Sequence, residues 1–347
     1  MSALKQRSRE ILAFVRASGG ASNKEVLEKF PELSRTTLYR ELDRLVADKF
    51  LVSEGKGRNV RYREHIVNAL SKYIDPEVYF SVDPDKRPGV LEMYQPTVLK
   101  KLFPIFSDDE REHLDSLTKA YQKRLKTFRA TLLKKEFERL TIELAWKSSR
   151  IEGNTYSLID TEILIKEHKE AKGHSKAEAK MILNHKAALE YIRDEKTQFQ
   201  KLTLLKIRNV HHLLVKGLDV ETGFRTHAVG ITGTRYKPLD NKHQIQDAMG
   251  ELIAVINKTK NVFEKSVAAM LMLAYIQPFE DGNKRTSRLI GNALLLSYGA
   301  CPLSFRSIEE SDYKKAILLF YEQNNMRFFK QLFLEQYQFA VDHYFLA

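Results

Sequence analysis

Between residues 267 and 296 two strongly apolar helical stretches are separated by a loop that gathers most of the local charge: Gln277-Pro278-Phe279-Glu280-Asp281-Gly282-Asn283-Lys284-Arg285-Thr286-Ser287-Arg288. Gly282 permits a tight turn there. The amides of Asn283, Lys284 and Arg285 then stand unpaired at a helix N-terminus, which is an anion site. Three cations, Lys284, Arg285 and Arg288, fall within one turn, and Arg285 and Arg288, three apart, share a face. Cations at a helix N-terminus oppose the dipole and each other. A polyphosphate among them would remove that conflict. Asp281 adds a hard oxygen of the kind that holds Mg²⁺ together with substrate phosphates. On composition alone, a basic helix start after a glycine turn is the competing reading.

Residues 277–288 resemble the signature of the Fic family of nucleotidyltransferases, His-x-Phe-x-(Asp/Glu)-Gly-Asn-(Gly/Lys)-Arg-x-x-Arg, at every specified position except the first. The resemblance implies a mainly α, Fic-type helical bundle with a β-hairpin flap, and an activity that transfers AMP from ATP to a protein hydroxyl. It further implies that Phe279 anchors the loop, Asp281 holds Mg²⁺, Asn283 and Gly282 with the loop amides hold the α-phosphate, and Arg285 and Arg288 hold the outer phosphates. Lys284 stands where many AMP-transferring members have Gly. Lysine also occurs in the Doc-type phosphotransferases, which typically lack the second arginine supplied here by Arg288. The first position departs from the pattern: the family's histidine base is replaced by Gln277, and a carboxamide accepts no proton near neutral pH. His211, His212, His227 and His243 are the possible substitutes, each read more simply as an ordinary histidine. No pair of them has metal-ligand spacing.

Ser148-Ser149-Arg150-Ile151-Glu152-Gly153-Asn154 ends an apolar helix. Glu152 thus lies at a helix C-terminus, where the dipole disfavours an anion and a cationic partner is called for. A solvated Glu before a glycine cap is the plain alternative. The segment resembles the family's inhibitory motif, (Ser/Thr)-x-x-x-Glu-(Gly/Asn), through Ser148, Glu152 and Gly153. That resemblance implies a bidentate Glu152–Arg288 ion pair, occupying the guanidinium that would hold the γ-phosphate. Val229, Gly230, Ile231 and Thr232 fall in a stretch, 224–239, whose alternation suggests a short hairpin; it resembles the family's flap, able to pair with a target backbone.

Helical periodicity covers roughly 108–128, 132–152, 158–171, 175–193, 201–215, 243–257, 262–276, 283–298 and 311–323. At the other end, segments over 5–17, 23–30 and 35–48 read as helices, the latter two capped by Ser22 and Ser34. Two short strands, 50–52 and 60–63, follow around a Gly-rich turn. This order is that of a winged helix-turn-helix over residues 1–66. Residues 67–105 form a connecting region broken by prolines, and 106–347 the nucleotidyltransferase domain, with its inhibitory helix near 132–153. Residues 1–64 hold 14 Lys and Arg against 9 Asp and Glu, within a chain of net charge +12. Arg35, Thr36, Thr37, Tyr39 and Arg40 on the third helix and Lys56, Arg58, Arg61 and Arg63 on the wing are candidate DNA contacts; a protein-binding or dimerising winged helix is the alternative. The apolar stretches are too short to span a membrane or to form a signal-peptide core. One cysteine, Cys301, forms no internal disulfide, which points to a reducing, cytoplasmic setting.

These readings lead to a Fic-type protein adenylyltransferase using ATP and Mg²⁺ on a protein target or itself, restrained by Glu152 and impaired by Gln277. The alternative is a DNA-binding regulator that binds nucleotide without transferring it.

Overall fold

The computed structural model describes residues 6–66 and 68–346, and not the side chain of Arg58. The fold is mainly α. The chain divides into two compact units, one ending at Asp75 and the other beginning at Pro76.

In the N-terminal unit α1 (Gln6–Ala17) is followed by β1 (Ala21–Ser22), α2 (Asn23–Lys29) and α3 (Arg35–Ala47), then β2 (Leu51–Glu54) and β3 (Arg61–Glu64). The serines expected as caps do cap. Ser22 forms a reciprocal box with Glu25, and Ser34 accepts from Thr37 N at 3.2 Å. The strands form an antiparallel sheet in the order β1-β3-β2, with Leu51 opposite Glu64 and Ala21 opposite Tyr62. Two-residue β1 has no periodic signal of its own, because its pairing is set by β3. Ile11, Val15, Val26, Leu38, Leu42, Leu45 and Tyr62 close one core. Tyr73 packs edge-on against Phe50, and its amide donates to Glu64 at 2.8 Å, which carries this unit on to Asp75.

The second unit opens with α4 (Pro76–Phe80), an extended stretch and α5 (Val98–Lys101). This stretch packs on its neighbours through buried polar bonds. Arg87 meets the wholly buried Glu322 at 2.9 Å, Tyr79 donates to the same carboxylate at 2.7 Å, and Ile105 N donates to Glu264 at 3.0 Å. Then come α6 (Asp108–Leu125), α7 (Ala130–Ile151), α8 (Leu158–Glu167), α9 (Lys176–Asp194), α10 (Leu204–Val215), α11 (Lys242–Lys258), α12 (Val262–Ile276), α13 (Asn283–Ser297), α14 (Glu310–Gln323) and α15 (Arg327–His343).

Helices α12 and α13 are the centre of the bundle. Every residue of α12 from Phe263 to Ile276 is buried, and α13 packs along it so closely that Gly291 faces Met270 with no room for a side chain. The hairpin expected over 224–239 is instead a loop turning at Thr232–Gly233, with a single parallel bridge between Met93 and Lys237. Its carbonyls are taken by guanidiniums rather than by a facing strand. Arg225 donates to the carbonyls of His227, Leu239 and Gln277, and Arg87 donates to Gly233 O at 2.9 Å.

Candidate nucleotide site

The charged loop joins α12 to α13 through two left-handed residues. Gln277 caps α12 at φ 50°, its amide donating to Leu273 O at 3.1 Å, and Gly282 caps α13 at φ 78°. Gly282 has no side chain to satisfy the first amides of α13, so they remain directed outward at the positive end of the dipole. Phe279 is fully buried and stacks on His211 with ring centroids 3.7 Å apart, as an anchor should. The Asn283 carboxamide accepts from Phe279 N at 2.9 Å and donates to Phe279 O at 2.8 Å, so the side chain shapes the loop.

The loop forms one wall of a cavity of about 440 Å³. Gln277, Asp281, Gly282, Asn283, Lys284 and Arg285 line it, with Glu152 on one side and Val229, Gly230, Ile231 and Thr232 on another. Two residues expected at the site lie behind this lining. Arg288 is fully buried, and so is Ser148, which takes Arg288 Nε on its hydroxyl at 2.8 Å and Nη2 on its carbonyl at 2.9 Å. Arg285 donates to Asp281 at 2.6 Å. Nη1 of Arg285 and Nη1 of Arg288 are buried and have no hydrogen-bond partner among the described residues. Buried guanidinium donors without partners are costly unless an anion arrives.

Glu152 and Arg288 do pair, at 2.9 Å, but the pair is not bidentate. The second Glu152 oxygen goes to Lys284 Nζ at 2.9 Å, while Ser148 takes Nε of Arg288 and shares its Nη2 with Glu152. Burial works against the Glu152 charge, but Arg288 and Lys284 outweigh it and bring the carboxyl down to about 2. His185 Nε2 lies 2.8 Å from the Ser148 hydroxyl, and burial with Arg285 and Arg288 nearby lowers its pKa to about 3, so it stays neutral. The Arg288 guanidinium lies 5.0 Å over the Tyr313 ring. His185, Tyr313 and Tyr321 are site residues that sequence reasoning missed. Only the spacing of Tyr313, Ile317 and Tyr321 along one face of α14 could have marked that wall.

None of the four histidines weighed as a substitute base lines the cavity. His211 is buried with Nε2 2.9 Å from Asp281 O, and burial lowers its pKa to about 4; His212, His227 and His243 are exposed. Away from this site, α3 exposes Arg35, Thr36, Tyr39 and Arg40, while Thr37 is half-buried with its hydroxyl 2.9 Å from that of Ser34. Lys56 is exposed, Arg61 and Arg63 make exposed ion pairs with Glu25 and Glu54, and the Arg58 side chain lies outside the described ones. Among the described residues no helix is long and apolar enough to cross a membrane, and no group of three or more His, Cys, Asp or Glu is placed to hold a metal.

Residues 201–295 match the Fic/DOC family, so the chain carries a Fic domain. Over 219 residues the chain is 26% identical to the protein adenylyltransferase Fic of Nematostella vectensis, covering 62% of this chain and 51% of that protein. The protein of the same name from Drosophila willistoni is 30% identical over 171 residues, covering 48% and 34%. The chain thus spans about half the length, or less, of these curated relatives. The solved structure of Fic-1 (residues 134–508) from C. elegans superposes with a TM-score of 0.60 at 18% identity, covering 71% of this chain and 80% of that one, a likeness of fold.

Proposed function

We propose, on the premise of the Fic domain, that this chain binds Mg-ATP over the α12–α13 loop as a protein adenylyltransferase scaffold whose transfer step is slow and whose resting state is closed by Glu152. The observation that carries this reading is the head of α13, where unfilled amides and Arg285, whose Nη1 has no partner among the described residues, line one cavity with Arg288 buried behind them. Phosphates fit that donor set. Asp281 is 63% exposed with one oxygen on Arg285, which leaves the other for Mg²⁺. The ion, when bound, offsets phosphate charge. Transfer joins the target's hydroxyl oxygen to the α-phosphorus as the bond to pyrophosphate breaks, and the hydroxyl proton has to leave. Gln277 cannot take it. Loss of such a base costs ~10²–10⁴ in rate while leaving binding in place. Glu152 adds a second restraint by holding Arg288 and Lys284 away from a third phosphate. The stretch 230–232, with Gly230 and Thr232 exposed, suits a target segment laid along the cavity.

The second reading, a regulator that senses nucleotide and binds DNA, rests on a different observation. The order of three helices, α1 to α3, with a small antiparallel sheet supports the winged helix-turn-helix reading. The outward face of α3 carries Arg35 and Arg40 with no ion-pair partner among the described residues. Calorimetry with Mg-ATP on the Glu152→Gly chain tests both readings of the cavity, and absence of affinity would refute them. Intact-protein mass after incubation with Mg-ATP then separates the two. Gain of one adenylate by Gln277→His with Glu152→Gly, and not by Glu152→Gly alone, supports the slow enzyme.

A further inference from the structure

The side chain at 277 has two amide protons, and the structure accounts for both. Nε2 donates to Ala274 O at 2.6 Å and to the Tyr321 hydroxyl at 3.1 Å. The Tyr321 proton itself goes to Ala274 O at 2.6 Å, so its oxygen is the acceptor toward Gln277. Burial raises the Tyr321 pKa and keeps that hydroxyl protonated. Reversing the amide would set Oε1 against the Ala274 carbonyl oxygen, two acceptors in contact, and could keep Tyr321 only by withdrawing its proton from Ala274 O, so the network decides the orientation. The main chain is held as well, by the cap to Leu273 and by Arg225 Nε on Gln277 O at 2.6 Å. Oε1 has no partner among the described residues and is not one of the buried unpaired polar atoms. The residue is 7% exposed and lines the cavity, so the oxygen is what it presents there.

We infer that Gln277 is a positioning residue that accepts a hydrogen bond from the attacking hydroxyl, orienting it toward the α-phosphorus without removing its proton. This rests on the nucleotide reading above and deepens it. An amide oxygen is an acceptor at every ordinary pH, so it directs the O–H group equally in acid and base. The proton has to go to solvent hydroxide, forming water, as the new oxygen–phosphorus bond forms and pyrophosphate departs. The rate therefore follows hydroxide.

The test uses the full chain with Glu152→Gly, Mg-ATP as the nucleotide and water as the attacking hydroxyl, reading pyrophosphate release from pH 6 to 9. The expected rate rises about tenfold per pH unit without a plateau, whereas added Gln277→His brings a plateau above the imidazole pKa. Gln277→Met, similar in shape but without the acceptor, is expected to lose about tenfold at each pH with KM unchanged within about twofold. A plateau in the form that keeps Gln277 overturns the inference. So do equal rates for that form and for Gln277→Met, including both falling at the protein-free background. The orientation is read separately by NMR on the unmodified chain, where the Gln277 side-chain amide pair, assigned by its loss in Gln277→Met, should be protected from solvent exchange. Tyr321→Phe should speed exchange of one of the two protons about tenfold, and rapid exchange of both in the unmodified chain overturns the inference. If Glu152→Gly shows no calorimetric affinity for Mg-ATP, the nucleotide reading fails, and the NMR arm alone decides which atom faces the cavity.

Discussion

Glu152 gives one carboxylate oxygen to a fully buried guanidinium and the other to a lysine, and its side chain is 15% exposed. Replacing it with Gln leaves Arg288 buried beside Lys284 and Arg285 without an anion, a loss of about 3 kcal/mol by the general cost of breaking such a pair. Its folded pKa, about 2, lies below its ordinary value of 4.5. The pair's contribution is therefore complete above the unfolded value and disappears as pH falls through about 2. Denaturant midpoints measured from pH 6 to pH 2 should fall more steeply for the unmodified chain than for Glu152→Gln, and parallel slopes would show that the pair adds nothing to stability. Lys284 is expected to matter for nucleotide only once this carboxylate is gone. Lys284→Met should change Mg-ATP affinity less than about twofold with Glu152 present and about tenfold in the Glu152→Gly chain, the scale of one charge-assisted contact to phosphate. Equal losses in both backgrounds would mean that Lys284 is an independent phosphate ligand. The Glu152–Arg288 contact could be read from sequence because each partner sits in a short motif. The contacts of Glu152 with Lys284, of Ser148 with His185 and of Arg288 with Tyr313 could not. They join side chains on α7, α9, α13 and α14, and no local spacing encodes a meeting across helices.

The loop holds its shape because two helices hold theirs. At Gly291 an added Cβ would stand 2.1 Å from Met270 Cε and 2.6 Å from its Cγ. Gly291→Ala should destabilise by about 1–3 kcal/mol through forced separation of α12 and α13, measured by chemical unfolding. The same change in a Met270→Ala chain should cost clearly less, since the colliding atoms are absent. The loop over 230–237 depends on another long-range contact, Arg87 with Glu322 and Gly233 O. Arg87→Met should speed amide exchange there while leaving α12 protected; unchanged exchange would show that the other contacts suffice. Helix positions were legible where a cap met a periodic apolar face, as at Ser22 and Ser34. Helix α15 escaped notice although Phe329, Phe333, Tyr337 and Val341 keep the period. Asn324, left-handed at the end of α14, ends one helix only three residues before the next begins. The alternation read as a hairpin lay in a loop whose carbonyls arginines satisfy, a solution that leaves the same residue pattern.

Charge is unevenly divided over the whole molecule. Residues 1–64 contribute +5 of the +12, with α3 presenting Arg35 and Arg40 outward while Glu41 turns to accept from Ser8 at 2.6 Å. All residues lining the cavity at the head of α13 lie between Ile151 and Tyr321, within the second unit. If the N-terminal unit meets DNA as proposed, its affinity should fall with salt as phosphate counterions are released, by about 0.9 in log–log slope per contact. Arg35→Ala with Arg40→Ala should then reduce the magnitude of the slope by about 2, whatever the DNA sequence, because arginines on phosphate position the protein without reading bases. The same double change in the Glu152→Gly chain should leave Mg-ATP affinity within about twofold of its parent, as neither arginine lines the cavity. Fluorescence anisotropy over a salt series and calorimetry measure the two quantities on one protein preparation. An unchanged slope would turn the exposed face of α3 toward a protein partner, since its arginines would then be held by something other than a polyphosphate backbone. Loss of nucleotide affinity in the same variant would show instead that the two units communicate, which independent compact cores alone do not supply.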